Sequence, residues 1–162
     1  MKVIIVGGVA GGASAAARIR RLDETAQIIV FERSGYVSYA NCGLPYYIGG
    51  VIEDRSLLTL QTPESFKSRF EIDVRIHHEV VAIHRERKAV TVRNLENGTE
   101  FEETYDKLIL SPGARPIRPP MPGLDAKRLF TLRTVEDTLK IRAFVEKEKP
   151  RRAVLAGGGF IG

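Results

Sequence analysis

Cys42 is the only cysteine of the 162 residues, and it lies in the stretch YANCGLPYY at residues 39–47. A single thiol cannot form a disulfide within its own chain, so it is either a buried apolar side chain or a reactive group. The Gly-Leu-Pro sequence after it predicts a helix that begins at Cys42, and a helix N-terminus stabilises a thiolate. Such a thiolate attacks disulfides and also leaves them readily. The local sequence alone leaves both interpretations open, and a lone cysteine is more often a buried apolar side chain.

A glycine-rich loop, GGVAGG at residues 7–12, is the second candidate for chemistry. Glycines between a strand and a helix allow the backbone to approach a pyrophosphate, which then faces the helix N-terminus. The strict fingerprint has a glycine where this chain has Val9, so the loop alone is weak evidence. Glu32 lies 20 positions after Gly12, where a carboxylate binds the hydroxyls of an adenosine ribose without a 2′-phosphate. Together they predict a dinucleotide site; the alternative is that the glycines only let a helix pack closely on a strand.

A strand, a helix and a second strand would position these residues. Apolar runs at residues 2–6, 26–32 and 106–113 predict buried strands, and residues 13–22 have the composition and spacing of a helix. The strand–helix–strand order predicts a parallel sheet.

The middle of the chain has a different pattern. Alternating or β-branched runs at residues 79–84, 89–94 and 99–104 predict an antiparallel β-meander. The predicted fold class is therefore α/β: a Rossmann-like dinucleotide-binding domain with a parallel sheet and an antiparallel meander.

The last part of the chain predicts a connection to a second domain. Four prolines in residues 114–123 predict an extended connector, and residues 134–149 predict an amphipathic helix capped by Thr134. From residue 152 an apolar run predicts another buried strand. A second glycine pattern, G-x-G-x-x-G, follows at Gly157, Gly159 and Gly162. We expect a fragment that is truncated at the start of a second dinucleotide-binding domain.

Composition excludes several classes of function. The net charge is +5, with 43% hydrophobic and 28% charged residues, which is typical of a globular protein. No apolar run approaches the roughly 20 residues of a membrane-spanning helix, so we expect no membrane partner. Basic residues occur in short groups without interleaved aromatic residues, which argues against nucleic acid. One cysteine gives no disulfide framework, so we expect a cytoplasmic protein.

Four stretches, VGGVAGGASAAARIRRLD, SYANCGLPYYIGG, YDKLILSPGA and TLRTVEDT, resemble the pyridine nucleotide–disulfide oxidoreductase family. The S-x-x-x-C pattern from Ser38 to Cys42 is similar to the branch with one redox-active cysteine, and Val37 stands where the other branch has the first cysteine of a pair. Within this branch the chain is most similar to the coenzyme A-disulfide reductases. The resemblance implies an FAD-binding domain at residues 1–113, a connector and helix at 114–150, and the first strand and glycine turn of an NAD(P)H-binding domain at 151–162.

The resemblance also implies a reaction and its residues. NAD(P)H reduces FAD, and FAD reduces a mixed disulfide between Cys42 and coenzyme A in an enzyme expected to be a homodimer. The implied FAD-binding residues are Gly7, Gly8, Val9, Ala10, Gly11, Gly12, Glu32, Arg33, Asn41, Cys42, Val81, Ser111, Pro112 and Gly113. The implied NAD(P)H-binding residues are Gly157, Gly159 and Gly162. The implied coenzyme A-binding residues are Ser14, Arg18, Arg21, Ser38 and Asn41.

Some positions leave the identity of the substrate undecided. Arg18 and Arg21 are three residues apart on one helix face, which suits a polyphosphate; the alternative is ordinary solvated charge. Phe70 stands near a position where some members have a lysine, with Lys67 and Arg69 beside it. A persulfide or polysulfide of coenzyme A therefore remains an alternative substrate.

Single residues help to distinguish the other candidate functions. Related NADH oxidases and peroxidases have a histidine at the position of Ala10, and its absence argues against their chemistry. A non-catalytic flavin-binding redox sensor that uses Cys42 is the alternative from another class. The three histidines lack the spacing of metal ligands, so no metal site is expected. They are His77, His78 and His84. The 162 residues alone are expected to be inactive.

Overall fold

Two β-sheets and four α-helices make up the computed structural model, which describes residues 1–158. The strands are β1 (Lys2–Val6), β2 (Gln27–Phe31), β3 (Asp73–Arg75), β4 (His78–His84), β5 (Ala89–Asn94), β6 (Glu100–Thr104) and β7 (Lys107–Leu110). The helices are α1 (Ala10–Leu22), α2 (Leu44–Ile48), α3 (Pro63–Phe70) and α4 (Val135–Glu148). Short 3₁₀ turns lie at Asn41–Gly43 and Arg55–Leu58.

The predicted parallel sheet is confirmed. Its strand order is β3-β2-β1-β7, and β1 pairs in parallel with both β2 and β7. The central strands are apolar on both faces because other layers cover both. Because β1, β2 and β7 are parallel, their carboxyl ends, at Val6, Phe31 and Leu110, form one edge of the sheet, where the glycine loop lies.

The predicted antiparallel meander is confirmed as well. Strands β4, β5 and β6 pair in that order, with a register shift between Val80 and Ala82. Val90 and Val92 of β5 are completely buried against Ile4 and Phe31 of the parallel sheet. The opposite face of the parallel sheet packs on α1 and α3, so the order of layers is helix, parallel sheet, antiparallel sheet.

Helix α1 begins three residues earlier than predicted, at Ala10 instead of residue 13. Glycines disfavour a helix interior, but Gly11 and Gly12 lie in the first turn, where close packing on the Gly7 backbone requires glycine at Gly12. The N-terminus of α1 therefore lies directly at the glycine loop.

Helix α4 has the predicted cap. The hydroxyl of Thr134 accepts a hydrogen bond from the Asp137 N–H at 3.2 Å, and the Asp137 carboxylate accepts one from the Thr134 N–H at 3.1 Å. Residues 111–133 before it form no helix or strand, as predicted for the proline-rich connector. Among the described residues, no helix is long and apolar enough to cross a membrane.

The predicted buried strand from residue 152 is wrong for the part that the structure describes. Residues 152–158 form neither helix nor strand, and Val154 and Leu155 are 92% and 68% exposed. A parallel strand needs a neighbour for its backbone hydrogen bonds and cover on both faces, and no described residue supplies either. Gly159 and Gly162 lie outside the described residues.

Arg20 connects α1 to the segment after α3, a role that its sequence position does not reveal. Its guanidinium donates hydrogen bonds of 2.5–3.3 Å to five backbone carbonyls. These belong to Asp23, Glu24, Ala26, Phe70 and Glu71. The side chain therefore holds together the turn before β2 and the end of α3.

We expect Arg20→Met, which keeps the apolar stem, to lower the free energy of unfolding by about 3 kcal/mol, because the carbonyls lose a charged donor. Chemical denaturation of both proteins measures the difference. Arg18→Met, an exposed position on the same helix, is the control and should change stability by less than about 0.5 kcal/mol. Equal effects of the two substitutions would contradict the structural role of Arg20.

Candidate active site

The glycine loop is held against the end of β7. Gly7 has φ +93°, and a Cβ added to it would lie 2.1 Å from the Ser111 carbonyl oxygen. A Cβ on Gly12 would lie 1.8 Å from the Gly7 carbonyl oxygen. Both positions therefore admit only glycine. The backbone of the loop carries no side chain at these two positions, close to the N-terminus of α1.

Val9 explains why the loop departs from the strict glycine fingerprint. Its φ of −92° is accessible to any residue, so this position does not require glycine. Its side chain packs on an apolar cluster that contains Tyr39, Leu44 and Val135. In the described part of the chain no side chain caps α1, so its first amides face the groove beside the loop.

Glu32 is placed at the edge of this loop. Its side chain is buried, with one carboxylate oxygen 2.8 Å from the Gly8 N–H and the other 2.8 Å from the Ser34 N–H. A carboxylate oxygen accepts more than one hydrogen bond, so Glu32 can also bind two hydroxyls of a ribose.

A groove of about 360 Å³, which we call the loop groove, lies beside these residues. Of the predicted FAD-binding residues it is lined by Val9, Ala10, Gly11, Glu32, Arg33, Asn41, Ser111, Pro112 and Gly113. It is also lined by residues that sequence reasoning missed: Ser34, Tyr39, Ala114, Arg133 and Thr134. Gly7, Gly8 and Gly12 form the loop itself, whereas Val81 lies in β4 and is 39% exposed, outside the groove.

The loop groove fits a dinucleotide cofactor by two independent features. The missing Cβ atoms leave room for a pyrophosphate at a helix N-terminus, and a fixed carboxylate stands where a ribose would bind. The fit follows from the backbone at Gly7 and Gly12 and from the position of Glu32.

Tyr39 adds a protonated hydroxyl to the loop groove. Burial raises its pKa, and Glu32 and Glu136 act in the same direction, while the Arg133 guanidinium opposes them. The phenol therefore stays protonated at neutral pH and can donate a hydrogen bond.

A second groove, of about 310 Å³, lies along α1, and we call it the helix groove. It is lined by Ala13, Ser14, Ala17, Arg21, Ser38, Gln61, Phe66 and Phe70. Of the predicted substrate residues, Ser14, Arg21 and Ser38 thus converge. Arg18 is exposed on α1 outside this set, and Asn41 lines the loop groove instead.

Two aromatic rings form part of the helix groove. The centroids of Phe66 and Phe70 are 6.1 Å apart, and the Arg69 guanidinium lies 5.8 Å from the centroid of Phe70. Phe66 was missed because helical spacing alone does not show that α3 faces the groove beside α1, and Gln61 because it lies in the loop before α3.

Cys42 ends the segment Ser38–Cys42, which passes both grooves, but Cys42 itself is not among the residues that line either groove. Ser38 lines the helix groove, and Tyr39 and Asn41 line the loop groove. Cys42 is exposed, so the interpretation as a buried apolar side chain is wrong. The predicted helix exists but begins at Leu44, after the 3₁₀ turn Asn41–Gly43 that carries the thiol.

The backbone of this segment is held at Ser38. Its φ is +46°, a left-handed conformation that is uncommon for a residue with a side chain. Its N–H donates to the Gly8 carbonyl at 2.9 Å, and its carbonyl accepts from the Leu60 N–H at 2.8 Å. Hydrogen bonds on both sides fix the residue between the glycine loop and the segment after residue 58.

Known proteins resemble the chain along its whole length. Curated coenzyme A disulfide reductases of Staphylococcus epidermidis and Staphylococcus aureus are 49% and 46% identical over 160 residues, or 99% of this chain. The chain spans 36% of the length of these relatives.

Solved structures agree with this result. The crystal structure of reduced CoADR-RHD from Bacillus anthracis has a TM-score of 0.97 and 55% identity, covering 99% of this chain and 29% of that one. An NAD-dependent persulfide reductase from A. fulgidus has a TM-score of 0.86 and 40% identity, covering 91% and 27%. The family model for pyridine nucleotide-disulphide oxidoreductases matches residues 1–162. The chain therefore belongs to the pyridine nucleotide-disulphide oxidoreductase family, with the Rossmann-type fold of its FAD- and NAD(P)-dependent members.

Proposed function

We propose that the chain is the FAD-binding part of an NAD(P)H-dependent enzyme that reduces coenzyme A disulfide through Cys42. The observation that carries this proposal is the exposed thiol on the segment shared by the two grooves. The identity to coenzyme A disulfide reductases supports it. The proposal includes the division into residues 1–113, 114–150 and 151–162, with the last as the start of the NAD(P)H-binding domain.

The loop groove is proposed to hold FAD. The amides at the N-terminus of α1 would bind its pyrophosphate, and Glu32 would bind its adenosine ribose. Bound there, FAD would supply the two electrons that convert a mixed disulfide into two thiols.

The helix groove is proposed to hold coenzyme A. Arg21 would pair with a phosphate, and Ser14 and Ser38 would donate hydrogen bonds from their hydroxyls. Phe66 and Phe70 offer an apolar surface to the rest of the substrate. Arg18, exposed outside this groove, would contact only a part of the substrate that extends beyond it.

The proposed reaction at Cys42 is thiol–disulfide exchange. The thiolate attacks one sulfur of the substrate, a bond forms between Cys42 and that coenzyme A, and the second coenzyme A leaves as a thiolate. Reduction of this mixed disulfide by two electrons, with uptake of a proton, releases the first coenzyme A and restores the Cys42 thiolate.

A persulfide of coenzyme A is the second candidate substrate. The structural similarity to an NAD-dependent persulfide reductase favours it. The same attack by Cys42 would then break a sulfur–sulfur bond of the persulfide. An NADH oxidase activity is less well supported, because Ala10 supplies no acid or base in the loop groove. The homodimer and the cytoplasmic location remain predictions.

Intact mass spectrometry tests the proposal directly. We expect the full-length, FAD-loaded protein, incubated with coenzyme A disulfide without reductant, to gain the mass of one coenzyme A. Peptide mapping should place the adduct on Cys42, and dithiothreitol should remove it. Within residues 1–162 a single adduct is expected, because they contain one thiol.

The alternatives give different results. Oxidation of NAD(P)H by a persulfide, with no adduct from the disulfide, would favour the persulfide reductase. Bound flavin that NAD(P)H fails to reduce, together with an easily oxidised Cys42, would contradict an enzyme and favour a redox sensor.

A further inference from the structure

Arg133 reaches the turn that carries Cys42 from a distant part of the chain. Its Nη1 donates a hydrogen bond to Asn41 Oδ1 at 2.8 Å, across 92 residues of sequence. Its Nη2 lies 3.3 Å from the position that a Cβ on Gly113 would occupy. The guanidinium therefore lies inside the loop groove, between the segment after β7 and the turn of Cys42.

The backbone of Arg133 is fixed at the start of α4. Its N–H donates to Asp137 Oδ2 at 3.0 Å, the same oxygen that accepts from the Thr134 N–H. The guanidinium of Arg142, two turns further along α4, donates to the Tyr47 carbonyl of α2 at 2.9 Å. Arg133, just before α4, thus binds Asn41, and Arg142 of α4 binds the helix that follows Cys42.

The hydrogen bond from Arg133 sets the orientation of the Asn41 amide. With Oδ1 facing the guanidinium, the Nδ2 group points away from it and presents two N–H donors. The reverse orientation would place two donors against each other. Since Asn41 begins the 3₁₀ turn that carries Cys42, the contact with Arg133 also anchors the start of that turn.

We propose that Arg133 is a positioning residue, which acts through Asn41 to hold the turn of Cys42 in the geometry that thiol–disulfide exchange requires. The inference rests on the proposed function. Arg133 itself forms no bond to sulfur and transfers no proton. Loss of the Arg133 contact should release the Asn41 side chain and loosen the turn that carries Cys42.

A double-mutant cycle in the full-length, FAD-loaded protein tests this inference. The variants are Arg133→Ala, Asn41→Ala and their combination, with Arg118→Ala in the exposed connector as the control. The measurements are kcat and KM for coenzyme A disulfide and the flavin absorbance per chain.

We expect each single variant to lower kcat about tenfold, with KM within about twofold, because misplaced reacting groups slow the exchange. The double variant should be no slower than the slower single variant, since both remove one interaction. Arg118→Ala should behave like the unaltered protein, and Arg133→Lys should recover part of kcat.

Independent losses that multiply to about a hundredfold in the double variant would overturn the role of Arg133. A fall in kcat that disappears after correction for flavin content would do the same. The proposed function is judged separately: it fails if disulfide reduction survives loss of the Cys42 thiol, whatever the cycle shows.

Discussion

Cys42→Ser should lower the rate of NAD(P)H-dependent disulfide reduction at least about a thousandfold in the full-length protein, because a hydroxyl does not carry out thiol–disulfide exchange. The substitution should leave the fold intact, since the side chain is exposed. Steady-state oxidation of NAD(P)H with coenzyme A disulfide measures the effect.

Three controls separate a loss of chemistry from a loss of structure. The flavin absorbance per chain and the midpoint of thermal unfolding should match those of the unaltered protein, as expected for an exposed site. NAD(P)H should still reduce the bound flavin of the serine variant. Disulfide reduction within tenfold of the original rate would contradict the role of Cys42.

Gly12→Ala should lower the free energy of unfolding by about 4 kcal/mol or more, the largest effect that we expect on stability. The added Cβ would lie 1.8 Å from the Gly7 carbonyl oxygen, so β1 and α1 could not keep their present contact. The loop groove would deform with them, and the variant should contain little FAD. Urea denaturation followed by circular dichroism, with the flavin content of the purified protein, provides the measurement.

Gly49→Ala is the matched control for a glycine at a helix end. Gly49 has φ −74°, and its added Cβ would lie no closer than 3.5 Å to another atom. Its stability should change by less than about 1 kcal/mol in either direction. Similar stabilities of the two variants would contradict the close approach of α1 to the glycine loop.

The central elements were predictable because their patterns are long and regular. Apolar runs identified β1 and β2, and alternation identified the three strands of the meander. Strand β3, Asp73–Arg75, was not predicted because three half-buried residues form no recognisable sequence pattern. It is a strand only because it pairs with β2. The run from residue 152 shows the reverse case, since an apolar sequence without a pairing partner does not form a strand.

The candidate site was predictable where its residues are neighbours in sequence. Gly7, Gly12 and Glu32 follow a local rule of spacing around one strand–helix–strand unit. The contact of Arg133 with Asn41 depends instead on how the connector returns α4 to the sheet edge, which no local pattern encodes. Gln61 and Phe70 were not linked to Ser14 for the same reason.

In the proposed enzyme, the segment Ser38–Cys42 connects the electron-donor site in the loop groove to the electron-acceptor site in the helix groove. Ser38 lines one groove, and Tyr39 and Asn41 line the other. Five residues span at most about 18 Å when fully extended, so covalent geometry keeps the two proposed sites close. Side chains of α1 and α3 that face the helix groove can therefore change without disturbing the loop groove.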